Sequence, residues 1–283
     1  MLYQRPIESW RLGRVRLCPV LAEGEPPEPG ASCPQCGDSK VVCPNGFWGY
    51  GKVIEQLPYR RGRQAGPRKP PVQIGGDPPV RLDACTFVDF YHRPEHLAAL
   101  RGLADEERWR VLESNELEAV EQVLRSAGQR TDVLYFYAHG GEDDRGHPYL
   151  EIGHGLRLGE NEFDAWDVSF EGRRPLVILN VCDSAHYGPE SFENLIQVFC
   201  ERGASGVVAT QCEIRELLAD AVGRDFLRRL LRSEAVGPAL LASRRTLLRG
   251  LDPRGLVYSL FADAELRLAG VSNSSPSSEE TVQ

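Results

Sequence analysis

The sequence predicts an α/β fold: a three-layer sandwich with a mainly parallel central sheet, helices on both faces, and a small cysteine-containing N-terminal extension. Three observations carry that prediction. Residues 132–138 (DVLYFYA), 175–181 (PLVILNV) and 206–210 (GVVAT) are almost continuously apolar. Strands buried on both faces read this way, as in a parallel sheet covered by helices. Helical patterns lie between and after these runs, and alternating strands and helices imply right-handed crossover units.

The elements follow in order. Residues 85–91 (CTFVDFY) read as a first strand, and 95–103 as a short helix after Pro94. Residues 108–113 (RWRVLE) read as a second strand. Asn115 then caps a helix that ends at Gly128, with Leu117, Val120 and Leu124 forming one apolar stripe. After the strand at 132–138 comes a short hairpin, PYLEIGHGLRL (148–158), and then the strand at 175–181. Helices are expected at about 191–202, 214–233 and 237–250, and a last strand (LVYSLFA) at 256–262.

Around this body the organisation is simpler. Residues 1–59 form the N-terminal extension, 60–82 a basic Pro/Gly linker, 83–270 the main domain, and 271–283 a polar tail. The linker's cations read as a solvated segment. The chain has 283 residues, 41% hydrophobic and 26% charged, which excludes a disordered or fibrous protein. No apolar run reaches the roughly 18 residues of a membrane span, and the first residues lack an apolar signal core, so a reducing cytoplasm is the expected compartment. The formal charge of −8 is uneven. Residues 1–82 carry 12 Lys/Arg against 7 Asp/Glu, and the rest 21 against 34. An acidic body argues against a broad nucleic-acid surface and suits a cationic peptide, and without an apolar span no membrane partner is expected.

Two of the buried strands end in reactive chemistry. The strand at 132–138 runs into His139-Gly140-Gly141, and that at 175–181 into Cys182-Asp183-Ser184. In open α/β sheets functional groups gather at the carboxyl ends of the strands. If the two strands are parallel neighbours, a thiol and an imidazole meet there as nucleophile and acid/base. The amides of Gly140 and Cys182 are then placed to hold a developing oxyanion. Taken singly, such a cysteine is most often a small buried hydrophobe, and such a histidine a solvated one. The pair at matching strand ends, 43 residues apart, is what carries the reading.

The region from about 83 to 270 resembles the CHAT domain, a caspase-like peptidase of the caspase–separase–gingipain group. The matching pieces are FYAHGG (136–141), the hairpin, LVILNVCDSA (176–185) and FENLIQVFCERGASGVVATQCEI (192–214). They hold the family's strand–His-Gly motif, its Ser/Asn-x-Cys-x-x-Ala motif at Asn180–Ala185, and its Gly-Ala-x-x-Val-Val strand at Gly203–Val208. The resemblance implies a caspase-like sandwich and a His139–Cys182 catalytic dyad, with no catalytic cofactor and no third catalytic residue assigned. It also implies a role in bacterial defence or signalling, switched on by a separate protein. Two features depart from the pattern: His-Gly-Gly-Glu follows the strand at 132–138, and Cys212 stands where a tryptophan is common. That loop shapes the substrate pocket, so specificity does not carry over.

Specificity is read from charge instead. Asp143, Asp144, Asp183 and Glu213 lie near the two strand ends or the next one, and a carboxylate there would select Arg or Lys before the scissile bond. Asp183 adjoins the nucleophile. The default for each acid taken alone is a solvated loop position, and surface placement is likewise expected for His92, His96, His147, His154 and His186. Cys85, Cys200 and Cys212 read as packing residues. Cys33-x2-Cys36, with Cys43 and Cys18, has the ligand set of a structural zinc site; the alternative is a set of thiols beneath a cap of Phe47, Trp48 and Tyr50. Two other functions stay open, a catalytically silent interaction module and a redox-sensing thiol protein pairing Cys182 with Cys212.

Overall fold

The computed structural model describes residues 16–18, 38, 40–43, 46–56, 73–75, 79–104, 109–153, 155–182, 189–212, 214–250 and 252–269. In chain order the strands are β1 (Arg16–Leu17), β2 (Val41–Val42), β3 (Gln73–Ile74), β4 (Val80–Thr86), β5 (Trp109–Ser114), β6 (Val133–Glu142), β7 (Pro148–Gly153), β8 (Leu156–Leu158), β9 (Leu176–Cys182), β10 (Gly206–Thr210), β11 (Tyr258–Phe261) and β12 (Arg267–Leu268). The helices are α1 (Trp48–Gly51), α2 (Arg93–Ala104), α3 (Leu117–Arg130), α4 (Glu160–Ala165), α5 (Pro189–Glu201), α6 (Glu216–Leu231) and α7 (Val236–Arg249).

The central sheet runs β11-β10-β9-β6-β4-β5, with the β7–β8 hairpin added to β6. Along this path only β10–β11 is antiparallel. Alternation along the strands makes two cores, one on each face. Tyr135, Tyr137, Ile178, Val208 and Tyr258 pack toward Leu100 of α2, Leu218 and Phe226 of α6, and Leu240 of α7. Leu134, Phe136, Val177, Leu179 and Val207 pack toward Val120 of α3, Phe163 of α4, and Leu195 and Phe199 of α5. Each such large apolar side chain contributes about 1.5–3 kcal/mol through its burial. The three layers are those the sequence predicts.

Four local differences have physical reasons. The first central strand spans Val80–Thr86, not 85–91. Arg81 and Asp83 interrupt its apolar pattern, yet Asp83 is fully buried, because Arg81 Nε donates to it at 2.9 Å and Thr131 Oγ1 also donates. Residues 87–92 make the turn into α2 instead. Helix α3 passes through Gly128 to Arg130, and its N-cap is Glu116 rather than Asn115. Gly128 is a point of close approach rather than a stop, since a Cβ there would lie 2.6 Å from the Ser169 carbonyl oxygen and 2.7 Å from that of Glu171. Strand β6 continues past His139 to Glu142, held by β7. His96, expected at the surface, is fully buried on α2.

Part of the N-terminal extension lies against the sheet edge. Tyr50 Oη donates to the Pro253 carbonyl at 2.6 Å, and Arg245 Nε to the Tyr50 carbonyl at 2.9 Å. Arg244, 5% exposed, donates from Nη1 to Gly49 O at 3.2 Å and from Nη2 to Tyr258 O. Burial pulls its guanidinium down to about 10. Glu55 forms a parallel bridge with Leu260 of β11, and Gln56 N–H donates to Leu260 O at 2.8 Å. Most of the linker and the tail at 271–283 lie outside the described residues. Among the described residues no helix is long and apolar enough to cross a membrane.

Candidate functional site

Strands β6 and β9 are parallel neighbours in unbroken register, from Val133↔Leu176 through Tyr137↔Asn180 to His139↔Cys182. Residues 139 and 182 are therefore backbone partners at the carboxyl end of the sheet. By the two-residue period of a strand, positions 135, 137 and 139 share one face of β6, and 178, 180 and 182 share that same face of β9. Cys182 is the last residue of its strand; its side chain, and Asp183 after it, lie outside the described residues.

His139 is half-buried, and two phenylalanines meet its ring. The ring centroids of Phe87 and His139 are 4.4 Å apart at an interplanar angle of 69°, and those of Phe90 and His139 are 4.5 Å apart at 76°. Phe87 and Phe90 lie 5.2 Å from one another, and Phe90 lies 4.7 Å from Tyr137. Edge-to-face geometry at these separations is the favoured arrangement of such rings. The turn that carries both phenylalanines is itself anchored. Phe87 N–H donates to Tyr137 O at 2.8 Å, Val88 N–H to Ile152 O at 3.2 Å, and His92 N–H to the Glu216 carboxylate of α6.

Beyond His139 the chain stays extended. Gly140 pairs with Leu150 and Gly141 with Tyr149 on β7. A Cβ on Gly141 would come within 2.6 Å of the Tyr149 ring, so any larger residue there has to displace that ring. The Tyr149 ring in turn carries the Arg157 guanidinium at 4.4 Å.

The acidic positions separate along the fold. Asp143 sits in the turn just past the end of β6, four residues beyond His139. Its carboxylate accepts from His147 N–H at 2.8 Å and Arg145 N–H at 2.9 Å, and contacts His147 Nδ1 at 3.2 Å. The His147 amide, ahead of the others, holds the Asp143 carboxyl below its ordinary range. Asp143 thus organises its own turn, and it also lines a cleft of about 590 Å³ with Tyr149, Arg157, Glu160, Glu162 and Glu201. Asp144 is in the same turn and exposed, and Glu213 lies outside the described residues. His147 is exposed, and His154 and His186 lie outside the described residues.

Of the other cysteines, Cys85 and Cys200 are buried and Cys212 is exposed just past β10. Burial, with Asp83 nearby, pushes the Cys85 thiol up. Cys18 and Cys43 each directly follow one strand of the parallel β1–β2 pair, with Cys18 N–H donating to Val42 O at 2.9 Å. Both are fully buried and cluster with Val41. Cys33 and Cys36 lie outside the described residues, and among the described residues no three His, Cys, Asp or Glu are grouped to hold a metal ion.

One constellation escapes sequence reasoning. His96 Nδ1 contacts Asp220 Oδ1 at 2.7 Å, and His96 Nε2 contacts Tyr135 Oη at 2.9 Å. Asn180 Nδ2 donates to Tyr135 Oη at 2.6 Å and to Ala219 O at 2.7 Å, and Tyr258 Oη donates to Asn180 Oδ1 at 2.6 Å. The members come from α2, β6, β9, α6 and β11. No spacing along the chain marks such a set; the one local signal is the polar Asn180 within an otherwise apolar strand.

A curated protein of Vitiosangium sp. (strain GDMCC 1.1324), named a probable protease, is 32% identical in an alignment of 250 positions that covers 84% of this chain and 32% of that protein. The chain therefore spans about a third of that relative's length. Two crystal structures of the Saccharomyces cerevisiae separase–securin complex superpose with TM-scores of 0.43 and 0.45, at 14% and 12% identity. The superpositions cover 68% and 81% of this chain and 12% and 14% of theirs. The family model described as CHAT domain matches residues 52–272, a span that holds all of the central sheet and its two helical layers. On that match the chain belongs to the CHAT domain family.

Proposed function

We propose that this chain is a cysteine endopeptidase whose Cys182 is the nucleophile and whose His139 is the acid/base. One observation carries the proposal: His139 and Cys182 are register partners at the carboxyl ends of adjacent parallel strands. The name of the Vitiosangium relative, a probable protease, agrees with it. In the proposed reaction the Cys182 thiolate attacks the scissile carbonyl carbon while His139 holds the thiol proton. The Gly140 and Cys182 amides stabilise the oxyanion. Collapse breaks the C–N bond, and His139 passes the proton to the leaving amine. Water, deprotonated by His139, then hydrolyses the thioester.

The substrate is a protein or peptide with a basic residue before the scissile bond. Asp143 is committed to its own turn, so direct selection falls to Asp183 or Glu213, while Asp143 and Asp144 add to an attractive field. The resemblance to other CHAT peptidases supports a cytoplasmic role in bacterial defence or signalling, with activation by a partner protein. The test compares wild type with Cys182→Ala on fluorogenic Arg, Lys, Leu and Asp peptides, alongside a covalent thiol probe. The expected result is Arg/Lys cleavage and Cys182 labelling by wild type alone. Equal cleavage by both proteins defeats the peptidase, and preference for Leu defeats the charge reading.

The N-terminal cysteines are proposed to hold a structural zinc ion, with Cys18, Cys33, Cys36 and Cys43 as thiolate ligands. What supports this is the burial of Cys18 and Cys43 side by side after paired strands. Elemental analysis of the purified, reduced chain should find one zinc per molecule, lost in Cys18→Ser/Cys43→Ser. A zinc-free, folded wild type overturns it.

A further inference from the structure

We infer that Asn180 is a positioning residue for the catalytic pair, acting through the hydrogen-bonded set Tyr258–Asn180–Tyr135–His96–Asp220. The inference rests on the dyad proposed above and says what keeps its two strands in the alignment the dyad needs.

Strands β6 and β9 are close to uniformly apolar on both faces. For such a pair the hydrophobic effect is a weak judge of register. A slip of two residues keeps every side chain on its own face and restores the parallel hydrogen-bond pattern. It would nevertheless move position 182 along position 139 by about 7 Å, which no nucleophile–base pair survives. Some directional contact must therefore distinguish the true register from the slipped one.

Asn180 supplies it. The residue is fully buried, two positions before Cys182 and on the same face of β9. Tyr135 is four positions before His139, on the corresponding face of β6. The 2.6 Å bond from Asn180 Nδ2 to Tyr135 Oη joins the two strands just beneath the dyad. The same amide is fixed from two further elements, by Ala219 O of α6 in the helical layer at 2.7 Å and by Tyr258 Oη of β11 in the sheet at 2.6 Å. Tyr135 is held in turn by His96, and His96 by Asp220. An ionised Asp220 accepts from His96 Nδ1, and in that tautomer of the neutral ring Nε2 accepts from the Tyr135 hydroxyl. Donors and acceptors then alternate without conflict from β11 to α6.

Two further observations fit a role in alignment. Burying these polar groups costs free energy that an apolar core would not incur, so stability alone does not account for them. Helix α6 is also shaped around the set. A Cβ on Gly223 would lie 2.4 Å from Tyr135 Oη, 2.9 Å from Asn180 Nδ2 and 3.3 Å from His96 Cε1.

The test uses the full chain and needs no substrate. The rate at which iodoacetamide modifies Cys182 is read by mass spectrometry at about pH 6.5, where an imidazole partner supplies the thiolate, and at about pH 9, where hydroxide does. Four proteins are compared: wild type, His139→Ala, Asn180→Leu, and the all-apolar Asn180→Leu/Tyr135→Phe/Tyr258→Phe. A wild type no faster than His139→Ala at the lower pH defeats the dyad. With the dyad supported, the network variant that keeps the wild-type far-UV spectrum should lose about tenfold at the lower pH and under about twofold at the higher. Wild-type kinetics at both values, whatever the melting temperature, overturn the inference. If neither network variant folds, the set is a requirement of the fold and the positioning role is likewise overturned.

Discussion

The Phe90 ring meets the His139 imidazole nearly at right angles, 4.5 Å between centroids, and both stand over the end of β6. Phe87 holds the ring from a second direction. Phe90→Leu keeps most of the buried volume and removes this contact. If His139 is the proposed acid/base, turnover should fall by about tenfold with little change in KM, because misplacing it costs rate rather than ground-state affinity. Steady-state kinetics on the best peptide check this, with a melting curve to show that stability falls by only about 1 kcal/mol.

Gly223→Ala sets two effects against each other. Alanine favours the helix by about 1 kcal/mol, but its Cβ would lie 2.4 Å from Tyr135 Oη. Overpacking costs about 1–3 kcal/mol, so the variant should be less stable. Tyr135→Phe removes the obstructing oxygen. Denaturant melts of the two single variants and the double should show the double more stable than the sum of the singles implies.

Asp132 is buried and accepts from Arg81 N–H at 2.9 Å and from Arg173 Nη1 at 3.0 Å. Burial, ahead of these opposing contacts, raises its carboxyl above the ordinary range. Between the ordinary value and the raised one, the folded chain binds a proton that the unfolded chain has lost. The Asp132 contribution to stability therefore improves as pH falls through that window and worsens as pH rises. In urea melts at falling pH, wild type should gain relative to Asp132→Asn; a gap independent of pH would contradict this.

Reactive and inert thiols should separate in the native protein. Cys85 and Cys200 are buried, and burial pushes the Cys85 thiol up, whereas Cys212 is exposed. Brief iodoacetamide treatment near neutral pH should modify Cys212 and leave Cys85 and Cys200 unmodified until the chain is denatured. Peptide mapping reads the result.

Much of the fold was legible because strands buried on both faces have a strong signature. The runs at β6, β9 and β10 can hardly be anything else. Strand β4 was harder, since Arg81 and Asp83 satisfy each other in a place where the pattern demands apolar residues. Gly128 reads as a stop when only the helix is considered, but the neighbouring carbonyls require it. That positions 139 and 182 fall at the ends of β6 and β9 was legible, as each follows directly on a local apolar run. The partners of Asn180 were not, because His96, Tyr135, Asp220 and Tyr258 are assembled by packing from four other elements. His96 beside Pro94 and Glu95 looks solvated until α2 is laid on the sheet.

The Arg244 guanidinium donates on two sides, from Nη2 to the Tyr258 carbonyl of β11 and from Nη1 to the Gly49 carbonyl of the extension. The family match begins at residue 52, three positions after that carbonyl. An expression boundary drawn there would strip a buried cation of one acceptor and remove the Tyr50 hydroxyl that donates to the Pro253 carbonyl. Homology and hydrogen bonding thus give this domain two different first residues, and a truncated protein will report which one folding obeys.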